Sequence, residues 1–259
     1  MSIINKIKNK KELQGITNSI VEQTLKKYLK KKRLKIKDLN DKDKKIVIKE
    51  IRAELRDYVG RFQIKSNKKG IKLLEQNKIR SILETHSSTK ERLLHYKKLK
   101  SIIKKINPKS ILDLACGLNP IATSNFNHQT IYYASDINEE DLNLVRLYFK
   151  KNKIKGKTFI FDIKKNNIKY LPKVDLCFIL KTLDILKINS KQIENLLKNL
   201  KCKYIIVSFS TKTLSGKKMK HIRRPWLERI LTNLTYSFNI FKTDNEIFYL
   251  ISKKNSFLE

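Results

Sequence analysis

After Pro108, five short runs rich in apolar and β-branched residues alternate with segments of helical pattern. The runs SILDLA, TIYYASDI, KTFIFDI, VDLCFIL and KYIIVSF are apolar on both faces. The segments between them, such as NEEDLNLVRLYFKKN and SKQIENLLKNL, are apolar on one side only. A strand that is apolar on both faces must be covered on both, and helices between successive strands provide that cover through parallel crossovers. The expected fold is therefore α/β, a Rossmann-like, mostly parallel sheet. The end of the chain departs from the pattern: YSFNIFKTDNEIFYLISKK has two β-rich runs around TDNE, which predicts a hairpin closing the sheet with an antiparallel strand.

Ahead of the sheet the period changes. Ile16, Ile20, Val21 and Leu25, then Ile46, Ile48, Ile51 and Leu55, recur at helical spacing between lysines, with no strand signal. The expected division is an all-α domain over 1–106 and an α/β domain over 107–259, which suits a chain of 259 residues. Lys and Arg number 59 against 24 Asp and Glu, a formal net charge of +35, and residues 1–80 alone hold 25 basic and 9 acidic side chains. A lysine-rich background composition raises the first count but does not explain the scarcity of acids. With 40% hydrophobic residues the chain should fold, and its charge implies a polyanionic partner, nucleic acid ahead of an anionic membrane. The helical part is then a surface for phosphates.

Cys116, Cys177 and Cys202 lie far apart with no CxxC or Cys/His spacing, so neither a zinc site nor a disulfide framework is expected. No apolar leader and no run of about 18 apolar residues is present, so the expectation is a cytoplasmic protein without a membrane span.

In a sheet of this kind the ligand lies beyond the carboxyl ends of the strands. ACGLNP, after the first run, falls there: Ala115 and Gly117 keep the backbone bare, and Pro120 suits the first turn of the next helix. Asp136 ends the second run, 19 residues after Gly117, where a carboxylate can accept both hydroxyls of a ribose. Asp162 ends the third, placed to accept from an adenine amine, while Ile163 offers apolar surface. Gly, Asp and Asp at successive strand ends, with no phosphate-cradling glycines, point to S-adenosyl-L-methionine rather than NAD or ATP. Upstream, in THSSTKERL, Ser88 and Glu91 have capping-box spacing, and Arg92 one turn on suits the methionine carboxylate of such a cofactor.

HSSTKERL, LDLACGLNP, LKTL at 180–183 and VSFSTKTLSG at 207–216 together resemble the aminoglycoside-resistance 16S rRNA methyltransferases, class I enzymes that modify guanine N7 in the ribosomal decoding site. The resemblance runs from about residue 50 to 253, and Tyr58 and Val59 match a segment of the family's helical extension. It implies that His86, Ser87, Ser88 and Arg92 approach the methionine end of the cofactor, with Gly117 lining the loop. It also implies Asp136 at the ribose, Asp162 and Ile163 at the adenine, and Leu180 on the inner wall. The implied partner is 16S rRNA within the 30S subunit, met by a monomer without membrane attachment. Ser210, where the family's motif usually has proline, and the strongly basic KKMKHIRRPWLERI depart from the pattern in the target-binding loop.

Guanine N7 has a lone pair and no proton, so its methylation needs alignment and a water-poor pocket but no general base, and no catalytic acid or base is expected. The absence of a [DN]PPY motif agrees, and Cys177 reads as a core residue. Lys212, Lys217, Lys218, Arg223 and Arg224, with Lys181 of LKTL, are the expected RNA contacts. Trp226 suits either base stacking or helix packing, and His95, His128 and His221 carry no assigned chemistry. Methylation of another RNA site, adenine N1 or tRNA, and a catalytically silent ribosome factor are the alternatives.

Overall fold

Strands apolar on both faces stack side by side. In this computed structural model, which describes residues 2–59, 67–127, 129–165, 167–186, 188–213 and 216–253, they form one seven-stranded sheet. The strands are β1 (Ser110–Leu114), β2 (Ile131–Asp136), β3 (Gly156–Ile160), β4 (Val174–Leu180), β5 (Cys202–Ser210), β6 (Ser237–Lys242) and β7 (Glu246–Ser252). Their order is β3-β2-β1-β4-β5-β7-β6. The first five are parallel, and β7 enters antiparallel between β5 and β6, with Ser208 opposite Phe248 and Ser210 opposite Glu246. The side chains of Tyr58 and Val59, and His128, lie outside the described residues.

The two faces of the sheet are packed by different helices. Leu112, Leu114, Cys177, Ile179, Val207 and Tyr249 lie on one face, under α10 (Ser190–Asn199) and α11 (Pro225–Asn233). Ile111, Tyr132, Phe178, Ile206 and Phe248 lie on the other. That second face is covered by α8 (Asn119–Thr123) and α9 (Glu139–Lys151). It is also covered by α4 (Asn67–Glu75), α5 (Ile79–Leu83) and α7 (Tyr96–Ile106), which precede the sheet in sequence.

The first 106 residues therefore serve two cores. Ile7, Leu13, Ile16, Ile20, Val21, Leu25, Ile51 and Leu55 form a separate apolar cluster. It is built by α1 (Ile3–Lys8), α2 (Asn18–Lys32) and α3 (Asp41–Val59). The expected face of α3 holds at Ile51 and Leu55, with Val47 in the place expected for Ile46. Val47, Ile51 and Leu55, four apart, point inward, while Ile46 is 50% exposed and Ile48 only packs against the edge. Three apolar residues in a row left that position open. The cluster meets the sheet domain at Ile137, and a short bridge pairs Ile16 with Asn138.

Gly156 starts β3 where a Cβ would stand 2.4 Å from the Phe149 ring and 2.9 Å from the Tyr132 carbonyl oxygen. Gly156→Ala should destabilise the fold by about 1–3 kcal/mol through overpacking, measured as a lower midpoint in urea unfolding.

Candidate active site

The strand ends make the site. Beyond β1 the chain turns through Ala115 and Gly117 at φ +52° and +49°, and beyond β4 through Lys181 at +53°. Positive φ is uncommon for alanine and lysine, so both turns are held by their surroundings. Part of that hold is Asp136, at the end of β2: its Oδ2 accepts from Gly117 N at 2.9 Å, and its Oδ1 from Ile137 N and Asn138 N at 2.7 and 3.0 Å. One carboxylate thereby fixes the turns after β1 and β2 together. Burial pushes its pKa up, and the three N–H donors pull the other way.

These turns bound an open cleft, with about 840 Å³ of empty space when the open solvent at its mouth is included. His86, Ser88, Ala115, Gly117, Asp136, Asp162, Ile163, Leu180 and Lys181 line it. Phe161, Ile185 and Leu186 add apolar walls, and Asn138, Asp141, Thr182 and Glu12 add polar ones. Asp162 stands two residues beyond β3 rather than at its end, with its carboxylate accepting from Lys164 N at 3.0 Å. The His86 ring lies against Gly117, where a Cβ would be 3.0 Å from it, and burial together with the Arg92 charge lowers its pKa to about 4. The imidazole is neutral at neutral pH. Bare backbone at the β1 turn, two carboxylates and apolar side walls fit an adenosine carrying a sulfonium amino acid.

Ser87 and Arg92 do not line the cleft. Ser87 opens α6 (Ser87–Arg92), whose N-cap is His86, so the expected Ser88 cap is wrong by two positions. Ser88 lies within the first turn, and its hydroxyl meets His86 Nδ1 at 2.9 Å. Glu91 instead reaches Lys181 Nζ, and that lysine is buried beside the cleft rather than on an outer RNA face. Arg92 points inward, its Nε and Nη2 bound to the two carboxylate oxygens of Glu246 at 2.9 and 2.8 Å. Both side chains are 2% exposed. Burial works against the Arg92 charge, and Glu246 and Tyr96 more than offset it, so the guanidinium stays protonated. It is committed to Glu246 rather than turned to a ligand carboxylate, and Glu246, on the last strand, carries no sequence signal.

A buried polar chain continues from there. Arg92 Nη1 donates to Asn119 Oδ1 at 3.4 Å, and Asn119 Nδ2 donates to Asp113 Oδ2 at 2.7 Å. Tyr132 OH donates to the same oxygen at 2.8 Å. Burial drives Asp113 up to about 7, against those two hydrogen bonds.

On the outer face, Lys217 and Lys218 are exposed and Lys212 half-buried, in a loop braced by Thr213 N donating to Lys217 O at 2.8 Å. Arg223 is exposed and paired with Glu228. Arg224, expected at the RNA surface, is 8% exposed, bound to Asp184 at 2.7 Å and to the Ile222 and Ser210 carbonyls, and stacked over Phe209. Trp226 packs edge-on against Phe209 at 5.7 Å, which is the helix-packing alternative. Cys177 is fully buried in β4. Among the described residues no group of metal-ligating side chains is found, and no helix is long and apolar enough to cross a membrane.

Residues 66–250 match the family model described as ribosomal RNA methyltransferase (FmrO). The chain belongs to that family. A 16S rRNA (guanine(1405)-N(7))-methyltransferase of Micromonospora echinospora is 27% identical over 183 residues, 68% of this chain and 66% of that protein. One of Micromonospora rosea is 26% identical over 182 residues, 67% and 65% of the two chains. The match thus spans just under two thirds of these relatives' length. Among solved structures, the 16S rRNA methyltransferase RmtF in complex with S-adenosyl-L-homocysteine shares the fold, with a TM-score of 0.80 and 23% identity over 97% of both chains. The 16S rRNA methylase ArmA is 28% identical, with a TM-score of 0.59, over 73% of this chain and 98% of its own. The FmrO match includes α6, every cleft-lining residue except Glu12, the Arg92–Glu246 pair and the basic loop, and leaves out α1 to α3.

Glu246→Ala should cost about 3–5 kcal/mol of stability by stranding the buried Arg92 charge, read from urea unfolding. Two titrations oppose each other in the pH dependence. Asp113, raised to about 7, contributes stability present below about 4 and lost as pH rises through 7; His86, lowered to about 4, contributes stability present above 6.5 and lost as pH falls through 4. Asp113→Asn should therefore make thermal stability rise more steeply from pH 4 to 7 than in the wild type. An unchanged difference profile would show that Asp113 does not titrate in this window.

Proposed function

We propose that this chain is a cytoplasmic, monomeric methyltransferase that uses S-adenosyl-L-methionine to methylate N7 of a guanine in the decoding region of 16S rRNA, within the 30S subunit. The observation that carries the reading is the convergence of Gly117, Asp136, Asp162 and the HSSTKERL helix on one cleft at the carboxyl ends of the strands. FmrO membership and the names of the curated relatives support the substrate.

When bound, the cofactor supplies an electrophilic methyl group on a sulfonium. The protein's part is placement. Asp136 faces the ribose, Asp162 and Ile163 the adenine, and Leu180 and His86 the walls toward the methyl end. A neutral His86 adds no positive charge beside a cationic donor. Since N7 is already a nucleophile, the residues need only align it in a water-poor cleft, and a proton acceptor is not required.

Binding to the folded subunit is assigned to the exposed basic residues. Lys212, Lys217, Lys218 and Arg223 lie on the loop after β5, and α1, α3 and the turn after α1 carry a second basic surface with Lys6, Lys10, Lys45 and Lys49. Such contacts release counterions, so binding should weaken steeply with salt.

Labelled methyl transfer should occur to intact 30S subunits rather than to tRNA, with the label mapping to a guanine N7. Asp136→Ala should weaken cofactor binding by tenfold or more, about the loss of one hydrogen bond to a charged group, as measured by calorimetry. Absence of label in any RNA would overturn the enzyme reading, and label at an adenine would move the target.

A further inference from the structure

Counting acceptors at the ribose wall shows a shortage. An ionised carboxylate offers about four lone-pair positions, and Asp136 already accepts three backbone N–H groups. A ribose brings two hydroxyl donors. Asp136 has room for one.

A second carboxylate enters this wall from another part of the chain. Glu12 lines the same cleft as Asp136, Ile137 and Asn138, although it lies in the N-terminal helical unit, 124 residues before Asp136. Its position is fixed by backbone docking rather than by chance contact. Gly15 O accepts from Glu139 N at 2.9 Å, Thr17 N donates to Ile137 O at 3.4 Å, and Ile16 bridges to Asn138. Gly15 allows the close approach, since a Cβ there would stand 2.1 Å from Asn138 Oδ1. Ile137 seals the junction by packing into the helical core.

The Glu12 side chain is also held. Arg56 of α3 donates to Oε1 at 2.8 Å, and the residue's own backbone N–H, with that arginine, lowers its pKa. Glu12 is thus ionised at neutral pH and its second oxygen is not taken by Arg56. With 32% of its side chain exposed, it is not packed away in the helical core, and it lines the cleft.

We propose that Glu12 is a cofactor-binding residue contributed by the N-terminal unit, accepting a ribose hydroxyl hydrogen bond that Asp136 has no room for. Arg56 is its positioning residue. The inference rests on the reading of the cleft as an S-adenosyl-L-methionine site, and it makes the helical unit part of the cofactor site as well as of the RNA surface.

Calorimetry on the full chain with S-adenosyl-L-homocysteine and with its 2′-deoxy and 3′-deoxy analogues tests it. Glu12→Gln should weaken the parent ligand by about tenfold, the loss of one charge-assisted hydrogen bond. The same variant should lose much less against whichever deoxy analogue lacks the contacted hydroxyl. Arg56→Gln should give an intermediate loss, and Asp141→Asn, on the same wall, should not share the selectivity for one deoxy analogue. Thermal melting of each variant separates binding from folding. Wild-type affinity in Glu12→Gln, or an equal loss against all three ligands, would overturn the proposal while leaving the cofactor reading intact. A wild-type chain that binds none of them would remove the cofactor reading and this inference together.

Discussion

The buried pair of Arg92 and Glu246 holds this architecture together. Two charges at 2% exposure carry a large desolvation cost, offset here by a bidentate geometry and by further hydrogen bonds from Ser208 and toward Asn119. Ser208 accepts from Lys181 N at 3.0 Å, so the pair reaches the strained turn after β4. Its neighbour on the same short helix, Glu91, takes the Lys181 side chain. One turn of α6 therefore clamps the end of β4 and the start of β7. The cleft wall between them is set by a strand that arrives last in the chain.

Charge is distributed against the average. A chain of net charge +35 gathers Glu12, Asp136, Asp141 and Asp162 around one cleft that, among the described residues, a single lysine, Lys181, lines. The inside favours donors and a cationic ligand, the outside favours phosphate. The cations nearest the cleft are spoken for: Lys181 by Glu91, Arg92 by Glu246 and Arg56 by Glu12. An anionic RNA and a cationic small molecule can then occupy neighbouring regions without competing for the same groups.

The sheet was legible because strands covered on both faces leave little choice of period, and the hairpin because TDNE interrupts two β-rich runs. Gly117, Asp136 and Asp162 were legible because they lie at or just beyond the ends of successive strands. The first core position of α3 was not, since Ile46, Val47 and Ile48 are all apolar and only tertiary packing chooses among them, whereas Ile51 and Leu55 were. Arginines were misread for a common reason. Lys217 and Lys218 stay in water, but Arg224 and Arg92 found Asp184 and Glu246, carboxylates 40 and 154 residues away that no local pattern links to them. Nor did the sequence connect Glu12 with the cleft, because that link depends on how two cores dock.

The contact of Gly15 with Asn138 bears on how such proteins can be recombined. By chain order alone, exchanging the helical unit for that of a relative needs only a cut between α3 and α4. The unit also returns to the sheet domain through a glycine whose missing side chain is filled by an asparagine that caps α9. A chimera joined at the linker alone would bring a foreign residue against Asn138, displacing both the helix cap and the turn that follows Asp136. An exchange that keeps this docking must therefore include residues on both sides of the cut, Gly15 with Asn138.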